Sequence, residues 1–174
     1  ILLRPASFQP AHHQKNAEVS KPAYLDQDFM FFVAATVLFA TCFFQLFTNL
    51  PVFFRKDVHL SELEIGIIMA ANGILIALFE MVIVYKLEGR RRNQFYFTIG
   101  VLFIGISFML LNLPGAGILT CTAMILVVTL GEILALPFMN SYWISRTQAG
   151  NRGQYAAIYT MAWSIAQILG PTGG

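Results

Sequence analysis

The chain has 174 residues, of which 57% are hydrophobic and 11% are charged, and its mean hydropathy is +0.66. In soluble domains roughly a quarter of the residues are charged, so this composition excludes an ordinary soluble domain and indicates a protein of the lipid bilayer. The net charge is only +2, and the sequence offers no basic face for nucleic acid. Because one membrane helix takes about 20 residues, the chain has room for about five.

Residues 1–28 are predicted to form a polar loop. They contain three prolines and charges of both signs. The neighbouring His12 and His13 have no further ligands around them, so a solvated loop is preferred over a metal site, and we expect no metal or cofactor elsewhere. The apolar Ile1-Leu2-Leu3 at the start is interpreted as the end of a preceding membrane helix.

Five apolar stretches follow, and each is predicted to cross the membrane. Pro51 is expected to bend or end the first helix. Ser61 and Glu64 form a capping-box pattern at the start of the second helix. The sequence Asn-Leu-Pro-Gly at 112–115 divides a long uncharged run into the third and fourth helices. The predicted helices are residues 29–50, 64–85, 94–112, 117–138 and 154–174.

Lysine and arginine are unevenly divided between the loops. Residues 86–92 contain four of them, residues 141–153 two and the N-terminal tail three, against two in the first hairpin loop and none in the loop near residue 112. Because cytoplasmic loops are enriched in basic residues, the N-terminal tail and both basic loops are predicted to be cytoplasmic. The chain is expected to be a multi-pass protein of a bacterial inner membrane or a plasma membrane.

Two acidic residues, Glu80 and Glu132, lie inside predicted membrane helices. A charged side chain at the centre of a membrane helix costs about 2.5 to 3.5 kcal/mol, so acids at such positions usually face a bundle interior or an aqueous cavity. Two interpretations are kept for each: a structural anchor, or a group that takes up a proton or binds substrate. For Glu132 a structural or gating role is preferred. For Glu80 the structural and the proton- or substrate-binding interpretations are given equal weight.

Other polar residues recur four positions apart and therefore share helix faces. These stripes predict a cavity bounded by the first, second, fourth and fifth helices, with the third helix outside against lipid. The alternative for each stripe is ordinary hydrogen bonding between helices, worth only about 0.6 kcal/mol per contact. The residues predicted to line a substrate or proton pathway are Gln45, Asn49, Asn72, Glu80, Asn140, Trp163 and Gln167.

Several short motifs resemble those of the major facilitator superfamily of secondary transporters. Gly89-Arg90-Arg91 matches the end of the family's loop motif, Gly-x-x-x-Asp-Arg-x-Gly-Arg-Arg or Lys, although Lys86 and Leu87 stand where the family has Asp and Arg. Residues 170–174 read Gly-Pro-Thr-Gly-Gly, one residue shorter than the family's antiporter motif. The remaining matches are Gly131-Glu132 with Pro137, and Arg152-Gly153.

The resemblance implies an all-α membrane protein, a polytopic helical bundle with the fold of this superfamily, of which the chain supplies about five helices. Because its loop motif is degenerate, residues 1–28 are expected to be the cytoplasmic loop between two six-helix halves and residues 29–174 part of the C-terminal half, with the N-terminal half missing from this fragment. The residues predicted to form a cytoplasmic latch, which closes one alternating-access state, are Gly89, Arg90, Arg91, Arg92 and Glu132.

The predicted function is secondary active transport of a small solute. Similarity to the family's drug and proton antiporters favours proton-coupled efflux of the multidrug type. The alternatives are an uptake symporter of the same family and a receptor or scaffold without transport. The expected partners are the solute, protons, the lipid bilayer and the missing N-terminal half, without nucleic acid. No enzyme is expected, because the sequence lacks a nucleophile and base and has no histidine in any predicted span.

Overall fold

A computed structural model describes residues 22–112, 115 and 117–173. After a short 3-10 turn, Ala23–Leu25, this part of the chain consists of five long helices and contains no strand. It is therefore all-α, as predicted. Most of the predicted loop 1–28, including His12 and His13, lies outside the described residues. The helices are α1 (Gln27–Lys56), α2 (Glu62–Leu87), α3 (Asn93–Leu110), α4 (Ile118–Ser145) and α5 (Arg152–Thr172).

Four of the described helices, α1 to α4, are long and apolar enough to cross a membrane. Their outward faces hold large apolar side chains that are mostly exposed, such as Leu38 at 72%, Met81 at 78% and Leu119 at 83%. Apolar surface of this extent is unfavourable in water and suits lipid. The chain is therefore a multi-pass membrane protein. α5 is less apolar, but its 21 residues extend about 31 Å, which is enough to span the hydrocarbon core.

α5 lies beside α1 along most of its length. The rings of Phe29 and Tyr155 are 4.4 Å apart near the starts of the two helices, and Gly170 contacts Phe44 further along. A Cβ atom on Gly170 would lie 2.6 Å from the Phe44 Cβ, so this close approach requires glycine. Asn49 also donates a hydrogen bond to the Gly170 carbonyl at 3.1 Å. Because these contacts follow the same order in both helices, α1 and α5 are parallel, as alternating membrane crossings require.

α3 packs against α4 in the opposite direction. The rings of Tyr96 and Phe138 are 4.4 Å apart, and a Cβ atom on Gly100 would lie 2.6 Å from the Gly131 carbonyl oxygen. The opposite face of α3 is exposed, with Met109 at 70%. α2 is the most exposed of the four apolar helices, and it packs mainly against α4.

The predicted helix ends differ most from the structure at two prolines. α1 continues through Pro51 and α4 through Pro137, each about two turns beyond its predicted end. Proline removes one backbone hydrogen bond, which usually ends or kinks a helix. Here the residues beyond each proline are buried, Phe54 at 0% exposure and Phe138 at 2%. Their packing offsets the lost hydrogen bond, so both helices continue.

The start of α2 has the predicted capping box. The Ser61 hydroxyl accepts a hydrogen bond from the Glu64 backbone N–H at 3.3 Å, and the Glu64 carboxylate accepts one from the Ser61 N–H at 2.8 Å. These two bonds satisfy N–H groups that the first turn cannot pair internally. The helix itself begins at Glu62, two residues before the predicted start.

Candidate functional site

The most deeply buried acidic side chain among the described residues is Glu132, which is 1% exposed at the middle of α4. Asn72 of α2 donates hydrogen bonds to Glu132 Oε2 at 2.7 Å and to the Thr129 hydroxyl at 3.0 Å. The Thr129 hydroxyl in turn donates to the Ile125 carbonyl at 2.8 Å. Asn72, Thr129 and Glu132 are called the Glu132 cluster below. It is a polar contact between two apolar helices.

The second carboxylate oxygen, Glu132 Oε1, is buried and has no hydrogen-bond partner within the described residues. A buried polar atom without a partner keeps the full cost of leaving water, and an ionised one keeps more. A proton or a small cation on this carboxylate would remove that cost. The arrangement is therefore chemically suited to reversible occupancy by a positive charge.

The structure joins some of the predicted pathway residues and leaves others apart. Asn72 and Glu132 were predicted in two separate sets, and the structure brings them into direct contact. Gln45 and Asn49 line one cleft of about 400 Å³ beside the C-terminal part of α3. Glu80 is half-buried on α2 and makes no hydrogen bond or ion pair with any described residue.

The other three predicted pathway residues are not in contact with the Glu132 cluster. Trp163 belongs to an aromatic group between α1 and α5, with its ring 5.7 Å from that of Phe43. Asn140 is exposed and accepts a hydrogen bond from the Trp143 indole at 3.3 Å. Gln167 is exposed on α5. A continuous pathway through these residues stays a prediction.

The basic loop between α2 and α3 contains Gly89, whose φ of +74° favours glycine. Arg90 to Arg92 are exposed, and the Arg91 guanidinium lies 5.4 Å from the centre of the Phe95 ring. Glu132 is far from this loop, because its partner Asn72 lies about 22 Å along α2 from the loop end of that helix. The structure does not bring Glu132 together with the arginines of the predicted latch.

A second polar cluster, which was not predicted from the sequence, joins three helix ends. Asp26 caps α1 by accepting a hydrogen bond from the Phe29 N–H at 3.2 Å. Arg146, directly after α4, donates to both Asp26 carboxylate oxygens at 2.6 and 2.8 Å. The Tyr155 hydroxyl of α5 donates to the same carboxylate at 2.9 Å. Asp26, Arg146 and Tyr155 are called the Asp26 cluster below.

The electrostatics of the Asp26 cluster keep both charges in place. Hydrogen bonds from Arg146 lower the pKa of the Asp26 carboxyl, and although burial opposes this change, the net shift is downward. The same hydrogen bonds raise the pKa of Arg146. An aspartate shortly before an apolar run, with another acidic residue in the first turn, is a typical start of a helix, and this local signal could have identified Asp26. Its partner Arg146 is 120 positions away and has no local signal.

Comparison with known proteins agrees with this architecture. The family model of the Major Facilitator Superfamily matches residues 2–171, so the chain belongs to this family of secondary transporters. The chain is also similar to a "Na(+), Li(+), K(+)/H(+) antiporter" of Planococcus maritimus, with 25% identity over 160 residues. This match covers 84% of the chain but 37% of the relative, so the chain spans a little over a third of that protein's length. No solved structure matches the chain.

Proposed function

We propose that the protein containing this chain exports a small cationic solute in exchange for protons, by alternating access. Membership of the superfamily supports secondary transport, and the name of the Planococcus relative supports exchange of cations for protons. The observation that supports the proposal most is the buried Glu132 carboxylate, which has one hydrogen-bonded oxygen and one oxygen without a partner among the described residues. This proposal makes Glu132 an exchange group rather than a member of the loop latch.

Glu132 can link the proton flux to the solute flux because an ionised carboxylate without a bound positive charge is unfavourable inside the membrane. A proton or a cationic solute neutralises the carboxylate, and the two compete for the same charge. The site then empties only when it opens to water on one side of the membrane, which is the requirement for exchange. Asn72 holds Oε2 in place, so that Oε1 stays available to the exchanging group.

Glu80 is proposed to pass protons between the Glu132 cluster and the basic loop. It lies eight residues after Asn72 on the same face of α2, about 12 Å nearer to the loop. The other predicted pathway residues are proposed to contact the solute. Gly89 to Arg92 are proposed to close the cytoplasmic side in another state of the transport cycle, with residues 29–174 acting as part of the C-terminal half.

The test is exchange by the intact protein in proteoliposomes with an acidic interior and an internal pH-sensitive dye. Addition of Na⁺, K⁺ or a cationic dye outside should release protons from the vesicles. Glu132→Gln should lower the exchange rate roughly 100-fold, because the energy of a charge at this depth, about 3 kcal/mol, corresponds to two factors of ten. Glu80→Gln makes the same change at the proposed proton relay and should lower the exchange rate by a smaller factor, roughly tenfold or less.

The opposite results distinguish the alternatives. If Glu132→Gln exchanges at the wild-type rate, the role of Glu132 is wrong. If solute and protons move in the same direction, the protein is an uptake symporter. If the protein binds a solute tightly without any flux, it is a receptor, and the transport proposal is wrong as a whole.

A further inference from the structure

A cationic cleft lies where the basic loop meets the end of α4. Arg91, Arg92 and Arg146 line this cleft of about 430 Å³, together with Gln94 and Tyr142. Arg146 is already paired with acidic residues of the chain, whereas Arg91 and Arg92 make no ion pair with any described residue. Two exposed guanidinium groups therefore face the cleft without a counter-ion from the described part of the chain.

An apolar groove continues from this cleft between α1 and α3. The groove has a volume of about 470 Å³, and Phe31, Phe97 and Val101 are among its lining residues. Gln94 and Tyr142 line both the groove and the cleft, so the two spaces are adjoining. Phe31 is 80% exposed. A cationic space therefore opens directly onto an apolar channel along two membrane helices.

We propose that an anionic phospholipid binds at this junction, with its phosphate on Arg91 and Arg92 and one acyl chain in the groove. A free phosphate would use only the cleft, and an uncharged lipid would use only the groove. A ligand with both an anionic head and a chain fits the two adjoining spaces. Basic pockets between membrane helices bind anionic lipid headgroups in this way.

The surrounding charges agree with an anionic head. Asp28 also lines the groove, and it shares Arg146 with Asp26, so these three side chains together carry one negative charge. The two positive charges of Arg91 and Arg92 outweigh it. The basic-residue count predicts that this end of the bundle is cytoplasmic, and the cytoplasmic leaflet is the one that holds anionic lipids. The inference does not depend on the exchange proposed for Glu132.

The test is binding of phosphatidylglycerol or phosphatidylcholine to the intact protein in detergent, counted by native mass spectrometry. The protein should prefer phosphatidylglycerol. The double variant Arg91→Gln/Arg92→Gln should weaken that binding roughly thirtyfold, because each basic residue near an anionic lipid surface contributes about fivefold. Arg55→Gln/Lys56→Gln removes the same charge at the far end of α1 and should change the binding less than twofold. Equal losses in both variants would overturn the proposal.

A second pair of variants tests the acyl chain. Ala35 is an exposed residue of α1 that lines the groove, whereas its exposed neighbour Ala34 does not. Ala35→Phe should fill the groove and weaken phosphatidylglycerol binding at least fivefold, while Ala34→Phe should leave it unchanged. If inorganic phosphate displaces the lipid at equal concentration, the occupant is a free anion and the lipid proposal is wrong. Equally tight binding of phosphatidylcholine would also overturn it.

Discussion

The Asp26 cluster and the Glu132 cluster each hold one acidic side chain between helices, but they satisfy it differently. The Asp26 carboxylate accepts four hydrogen bonds, which include both oxygens. The Glu132 carboxylate accepts one, and its other oxygen has no partner within the described residues. A fully satisfied anion is stable as an anion and fixes its neighbours in place. A carboxylate with only one hydrogen-bonded oxygen inside the membrane is suited to a change of charge. This difference distinguishes a structural site from an exchanging site.

The first prediction removes the charge of the structural cluster. Asp26→Asn should lower the free energy of unfolding by about 2 kcal/mol, because hydrogen bonds to charged groups contribute about 1.5 to 3 kcal/mol and the pair is only partly buried. The exchange rate of the folded protein should stay within twofold. Reversible unfolding in mixed micelles measures the first quantity, and the proteoliposome assay measures the second.

Asp28→Asn is the matched control for this prediction. The Asp28 side chain is 77% exposed, and it contacts the same arginine at 3.4 Å. An exposed pair contributes little, so its loss should cost less than about 0.5 kcal/mol. If both variants lower the free energy of unfolding equally, the number of hydrogen bonds to a carboxylate does not determine its contribution to stability.

The second prediction concerns the pH dependence of the structural cluster. The pKa of Asp26 is lowered mainly by Arg146, with a further hydrogen bond from Tyr155, while Asp28 faces the same arginine. A carboxyl with a lowered folded pKa stabilises the protein fully above its unfolded pKa, about 3.9, and this contribution is lost as the pH falls below that value. Stability should therefore decline below about pH 4 in the wild type and decline less in Asp26→Asn. Identical acid profiles would contradict the assignment.

The third prediction weakens the exchanging cluster without touching its acid. Asn72→Leu keeps a similar side-chain volume but removes the only hydrogen bond that Glu132 accepts from the described residues. The exchange rate should fall about tenfold, since one hydrogen bond to a charged group is worth about 1.5 kcal/mol. Thr129→Val keeps the bond between Asn72 and Glu132, so its rate should fall less than threefold. A greater loss from Thr129→Val would contradict the proposed role of Asn72.

The sequence predicted more of the fold than of the site, for a physical reason. Charge-free runs and the capping box at Ser61 are local features, and they located five helices. The spacing of Asn72 and Glu80 placed them on one face of α2, but periodicity does not say which helix that face meets. Contact with Glu132 depends on packing between α2 and α4. The continuation of α1 beyond Pro51 likewise depends on distant contacts that a local rule does not include.

The fourth prediction is the smallest and tests whether the Asp26 cluster acts as one unit. Tyr155→Phe removes one neutral donor, but Arg146 still donates to the same oxygen of Asp26, so the free energy of unfolding should fall by only about 0.5 to 1 kcal/mol. Tyr24→Phe, at a side chain that is 65% exposed, should change it by less than about 0.5 kcal/mol.

Neighbours in one hydrogen-bond network are not additive, so the double variant Asp26→Asn/Tyr155→Phe should cost less than the sum of its single variants. Strict additivity would mean that the Tyr155 hydroxyl does not act through the Asp26 carboxylate, and that residue 155 is held by its ring packing against Phe29, which Tyr155→Phe keeps. In that case the Asp26 carboxylate would join only two helices, α1 and α4. The position of α5 would then depend on the contact of Gly170 with α1. The difference between the two clusters would then be the two hydrogen bonds from Arg146. They keep Asp26 as a fixed anion, and Glu132 accepts no such pair from the described residues.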